Sequence, residues 1–87
     1  MATIEFKGEE YEYNDKLLGD APEAYGFQKR LAKFGKGDVM EMYEVFEQLF
    51  DGKDEEYALR VGGISGLGEL FAAIINAQDG EAKNSDV

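Results

Sequence analysis

Residues 38–50, DVMEMYEVFEQLF, decide how the rest of the chain must fold. Asp38 stands as an N-cap, and Glu41, three residues on, is placed to reach back to it, the signature of a capping box. Behind that cap Val39, Met42, Tyr43, Phe46, Leu49 and Phe50 recur at helical spacing and predict one broad apolar stripe. Glu41, Glu44, Glu47 and Asp51 step along another side, which is expected to face water or a basic neighbour. Asp51-Gly52 closes the helix, with Gly52 expected in the left-handed conformation. Six large side chains on one short helix cannot stay wet, so other elements must pack on them.

Immediately before this helix, Asp20-Ala21-Pro22-Glu23 is a second helix start: an acidic cap, Pro in the first turn and Glu three residues after the cap. Ala24, Phe27, Leu31 and Phe34 follow as its stripe, and Gly26 inside it implies a close neighbour, since it costs about 1 kcal/mol relative to Ala. Gly35-Lys36-Gly37 breaks this helix, and so short a loop makes the two helices antiparallel neighbours. No acid lies between Glu23 and Asp38, where Lys29, Arg30, Lys33 and Lys36 gather. The expected use of that basic segment is to complement the acidic helix within the hairpin of helices.

Residues 2–13, ATIEFKGEEYEY, read as two short strands. Gly8-Glu9 suits a type II′ turn, which puts Ile4, Phe6, Tyr11 and Tyr13 on one face. Two strands alone are marginal in water, so that face should lie on the helices. Leu17 and Leu18 suggest a single turn tucked against the core.

Beyond Gly52, Asp54-Glu55-Glu56 starts another helical piece with Tyr57, Ala58 and Val61 as its apolar side, ended by Gly62-Gly63. Ser65 is the expected cap of the last helix, whose apolar side is Leu67, Leu70, Phe71, Ile74 and Ile75. Ala72, Ala73 and Ala77 leave its opposite side nearly uncharged, and a helix apolar all round is buried on more than one side. From Gly80, GEAKNSDV is small and polar without periodicity.

The expected fold class is therefore α+β, mainly helical: an N-terminal β-hairpin followed by three to four short helices. It forms one small domain over 1–79, with the hairpin at 2–13, helices at about 21–34, 38–51, 54–61 and 66–78, and a disordered polar tail at 80–87.

Composition narrows the chemistry. The 87 residues carry a net charge of −10, which argues against nucleic-acid or anionic-membrane binding. Hydrophobic residues at 44% argue against disorder of the whole chain. Without Cys there is neither disulfide nor thiolate chemistry, and without His the usual general base and transition-metal ligand are missing. There is no apolar run of about 18 residues to span a membrane. The first ten residues, MATIEFKGEE, lack the basic start and apolar middle of a signal peptide.

Motifs that would carry catalysis fail one by one. Gly63-Ile64-Ser65-Gly66-Leu67 has Leu where the nucleophile elbow needs a second glycine, and Ser65 has no base. The glycines at 62, 63, 66 and 68 miss the dinucleotide spacing, and Gly35-Lys36-Gly37 lacks the Ser or Thr of a phosphate loop. Residues 51–56, DGKDEE, do not fit the calcium loop and read better as a solvated helix start. No pair of carboxylates stands out for glycosidic chemistry. The expectation is no enzyme, no metal and no cofactor.

The order of parts, TIEFKGEEYEYN, then a helix ending in LAKFGKGD, then VMEMYEVFEQLFDGKDEE and a small last helix, resembles the tail assembly chaperones of long-tailed bacteriophages and prophages, especially those of Gram-positive hosts. Ala82-Lys83-Asn84 is also compatible with codons containing the slippery heptamer at which many such frames shift. The resemblance implies a non-enzymatic role in the host cytoplasm, absent from the mature virion. The partners implied are the tape measure protein, kept soluble until the tube forms around it, and the tail tube protein.

A helix-in-groove surface fits that role. Its expected residues are Leu67, Leu70, Phe71, Ile74 and Ile75 with exposed parts of Tyr43 and Phe50; the alternative is that they complete the core. Apolar excess on the last helix also makes self-association, as rings or filaments, an expectation. Two other roles remain open, an acidic DNA mimic that inhibits a nuclease or repressor and a general helical adaptor.

Overall fold

The computed structural model describes the backbone of residues 1–85 and the side chains of residues 1–78. Strands β1 (Ala2–Phe6) and β2 (Glu9–Tyr13) pair antiparallel, with Ala2 opposite Tyr13, Ile4 opposite Tyr11 and Phe6 opposite Glu9. The turn is therefore Lys7-Gly8, one residue earlier than expected. Both residues are left-handed (φ +52° and +86°), which is a type I′ turn rather than II′. The hand of a type I′ turn matches strand twist, and Gly8 takes its share without strain. Moving the turn by one residue changes each cross-strand partner by two, so the faces are unchanged: Ile4, Phe6, Tyr11 and Tyr13 still point together.

A 3₁₀ turn (Asp15–Leu18) follows, opened by the Asn14 side chain, which accepts the Lys16 N–H at 3.2 Å. Helix α1 (Ala24–Gly35) starts three residues later than predicted. Ala24 and Tyr25 donate to the carbonyls of Ala21 and Pro22, so the stretch around Pro22 is a tight turn rather than helix. No atom lies within 4 Å of a Cβ built on Gly26, so the neighbour expected there is missing. At the far end Asp38 N–H bonds Lys33 C=O and Gly37 N–H bonds Phe34 C=O, a Schellman closure with Gly37 at φ +103°.

Helix α2 (Val39–Leu49) falls within the expected 38–51, ending two residues short of it, and lacks the expected cap: the Asp38 side chain makes no capping bond. Glu41 instead meets Arg30 of α1 at 3.1 Å, as charge complementarity between the two helices predicts. The Schellman closure of α2 runs from Gly52 N–H to Glu47 C=O, and both Asp51 and Gly52 are left-handed (φ +53° and +81°).

Helix α3 (Asp54–Val61) and helix α4 (Ile64–Ser85) are joined by Gly62 and Gly63, left-handed at φ +92° and +89°. This pair turns the chain through 102°. Gly63 C=O already accepts the Leu67 N–H, so α4 begins at Ile64 and Ser65 lies inside it rather than capping it. A Cβ on Gly66 would fall 1.9 Å from the carbonyl oxygen of Val61: the first turn of α4 rides directly on the end of α3. At its other end α4 is helical through Ser85, overlapping the stretch read as a disordered tail, and Asp86 and Val87 lie outside the described residues. Glu81, Ala82 and Lys83 are good helix formers, and no Pro follows to stop them.

Through the core runs a chain of aromatic rings that joins the hairpin to α3, α2 and α4. Phe6 meets Tyr11, Tyr11 meets Tyr57 edge-on at 4.9 Å, Tyr57 meets Phe50 at 5.3 Å, and Phe46 links Phe50 to Phe71 of α4 at 6.2 and 6.1 Å. Such edge-on pairs add to the area they bury. Two polar ties lock the hairpin over it: Tyr57 hydroxyl accepts the Glu12 N–H at 3.0 Å, and Leu49 carbonyl accepts the Asn14 N–H at 2.7 Å. Burial and a hydrogen bond to the Glu9 carboxylate hold the Tyr11 phenol above its ordinary pKa.

Candidate functional site

On α2 the apolar residues divide along the helix rather than between opposite faces, since at 100° per residue Val39 and Tyr43 lie within about 60° of Phe46 and Phe50. Val45, Phe46, Leu49 and Phe50 turn inward and are sealed, whereas Val39, Met40 and Tyr43 stay 61%, 74% and 55% exposed. The exposed part leads into a groove of about 240 Å³ where α2, α3 and the start of α4 meet. Tyr43 and Phe46 form its α2 wall, Ala58 its α3 wall, and Ile64 and Leu67 its α4 wall. Asp54 and Glu55, on the first turn of α3, stand at its rim. One turn beyond Glu55, Leu59 is 89% exposed.

The local sequence explains the shape. The glycine pair at 62–63 bends α4 away from α3 immediately, and Gly66 lets the two approach within backbone contact. A corner that tight leaves a notch which Phe46 and Leu67 floor but do not fill. The rim acids lie at a helix N-terminus, where negative charge is favoured. Neither Asp54 nor Glu55 forms an ion pair among the described residues, where Lys53 turns to Glu12 and Arg60 to Glu56.

Of the residues expected to bind a partner, Tyr43 and Leu67 do line this groove, Tyr43 as its exposed wall and Leu67 as its floor. Phe50, Leu70 and Ile74 do not: each is fully buried, and Leu67 itself is only 6% exposed. The tyrosine face of the hairpin and α3 cover them, so they serve the core. Phe71 and Ile75 are half-buried, Phe71 with its ring edge-on to Phe46. The uncharged far side of α4 carries small residues, Ala72 and Ala77 among them, and is exposed rather than buried a second time.

Sequence reasoning missed Met40, Leu59 and Ile64 as exposed apolar residues. On α2, Met40 falls about 100° from Val39 and so off the predicted stripe, whereas Val39 and Tyr43 lie on it and are exposed because the first turns of α2 are left uncovered. Leu59 was legible too, since it falls off the Tyr57–Ala58–Val61 face.

A wider depression, about 630 Å³, lies between the 3₁₀ turn, α1 and the end of α2, lined by Glu23, Arg30, Glu47 and Asp51 among others. It is polar and open. No group of acids fit to hold a metal ion occurs among the described residues, and no buried side-chain polar atom lacks a partner. Among those residues no single helix is long and apolar enough to cross a membrane. The arrangement suits recognition of an apolar side chain with a positive neighbour. Compared with protein-family models, with curated proteins and with solved structures, the chain gives no match.

Proposed function

We propose that the protein is a tail assembly chaperone of the long-tailed phage type, which holds a helical segment of the tape measure protein until tail tube protein assembles around it. The observation that carries this reading is the open apolar groove of Tyr43, Phe46, Ala58, Ile64 and Leu67, with Met40 and Leu59 also exposed on the helices α2 and α3 that form it, on a chain of net charge −10. A strongly charged shell keeps a complex dispersed while a small apolar notch grips a client helix by one or two anchors. The role is non-enzymatic and belongs to the host cytoplasm. An acidic DNA mimic has less support, because the acids are spread over β2, α2 and α3, and several are neutralised by Lys53, Arg30 and Arg60.

Co-expression with the tape measure protein tests the reading. The wild-type chain is expected to keep that protein in the soluble fraction and to co-purify with it. Tyr43→Ser combined with Leu59→Ser should abolish both while leaving the thermal transition in place. Tape measure protein that stays soluble and bound with the double variant removes the groove from the function; no co-purification with wild type removes the function itself.

A further inference from the structure

The groove has a complementary surface elsewhere on the same chain. Helix α1 holds Tyr25 out in solvent, 72% exposed. At 100° per residue, Lys29, Lys33 and Lys36 fall within about a quarter turn of Tyr25 around the helix. All three lysines are exposed, and none forms an ion pair among the described residues; the one basic residue of α1 that does, Arg30, faces Glu41. Each helix thus carries what the other site lacks. The groove offers an apolar notch with unpaired carboxylates, and α1 offers an exposed ring with unpaired ammonium groups one and two turns beyond it.

We infer that a second copy of this chain occupies the groove, seating Tyr25 against Phe46, Ile64 and Leu67 and bringing Lys29 and Lys33 to Asp54 and Glu55. The tyrosine ring buries its apolar body and keeps its hydroxyl at the wet rim, the behaviour that makes tyrosine a good anchor. Because knob and groove are different patches, the contact is heterologous, and repetition yields a ring or an open filament rather than a closed pair. The same groove is the one proposed to take the client helix, so a bound client ends the chain of copies. Only the location of the groove is shared with that proposal.

Two features set the conditions. Ten net negative charges per copy repel over long range, and at about 0.15 M salt the screening length of about 8 Å removes that repulsion while leaving contacts at the rim. The contact is small, so association is expected at about 0.1–1 mM rather than nanomolar.

Sedimentation equilibrium of the full chain at 0.15 M salt tests this. The mean mass of wild type should rise steadily with concentration beyond that of a dimer. Tyr25→Ala, which keeps the groove, and Ile64→Asp, which keeps the knob, should each remain monomeric with unchanged circular dichroism. Mixed one to one, these two variants should form a heterodimer and stop there, because each supplies the half the other has lost. Wild type that stays monomeric to about 1 mM overturns the inference on the scale expected for so small a contact. So does a mass rising equally in both variants, which places association elsewhere, or a mixture that stays monomeric. If wild type is monomeric yet still co-purifies with the tape measure protein, the self-contact fails and the chaperone reading stands; the reverse pattern separates them the other way.

Discussion

The two ends of α2 carry similar residues and have opposite fates: its C-terminal part presents a covered face and its first turns an open one. Val45, Phe46, Leu49 and Phe50 are buried in one core with Phe27 of α1, the hairpin tyrosines, Tyr57 of α3 and Leu70 of α4, while Val39, Met40 and Tyr43, on the same eleven-residue helix, remain in water. The covered face is closed by a run of rings and two backbone ties, and the open face ends at a corner that glycines hold ajar. Apolar character thus does not by itself decide burial, which depends on what else reaches each part of the helix.

Phe50→Ala attacks the covered face at its centre. Removing a fully buried ring should cost about 3–5 kcal/mol, out of a total of about 4–13 kcal/mol for a chain of this size. Urea unfolding should show a midpoint lowered in proportion to that loss, with the slope unchanged, and a loss below about 1 kcal/mol would mean that the ring is not sealed. Gly66→Ala strikes the corner between the faces. The new methyl meets Val61 backbone, so a loss of about 1–3 kcal/mol is expected. Gly68→Ala, one short step along with nothing within 4 Å, should instead be neutral or stabilising by up to about 1 kcal/mol. Equal effects at the two glycines would show that helix propensity, not the corner, governs the site.

Tyr57→Phe leaves the rings in place and takes away the hydroxyl that accepts the Glu12 N–H, at an expected cost of about 1 kcal/mol. Faster amide exchange confined to Glu12 and its neighbours would report the loss locally. Tyr43→Ser acts on the open face and should move stability by no more than about 0.5 kcal/mol. A larger drop in the denaturation midpoint would mean that the exposed stripe is part of the core after all.

Much of this was legible beforehand, and the misses share a cause. Element order, the α+β class, the shared face of Ile4, Phe6, Tyr11 and Tyr13, and the break at Gly62-Gly63 follow from periodicity and from residues with special backbone freedom. The caps were less legible. Asp38 and Glu41 spell a capping box, but Arg30 on another helix competes for Glu41 and takes it. Ser65 looks like a cap only until the glycine pair is seen to start α4 earlier. The site was half legible: Tyr43 could be named, whereas Phe50, Leu70 and Ile74 share its residue class and lie inside.

By itself, the order of residues determined the local elements, because period, turn chemistry and helix propensity act between neighbours along the chain. Tertiary structure alone decided which apolar residues are spent on the core and which are left in water. That choice depends on how closely α4 can ride on α3 at Gly66 and on where Tyr57 meets the hairpin, distances between residues that no local pattern encodes.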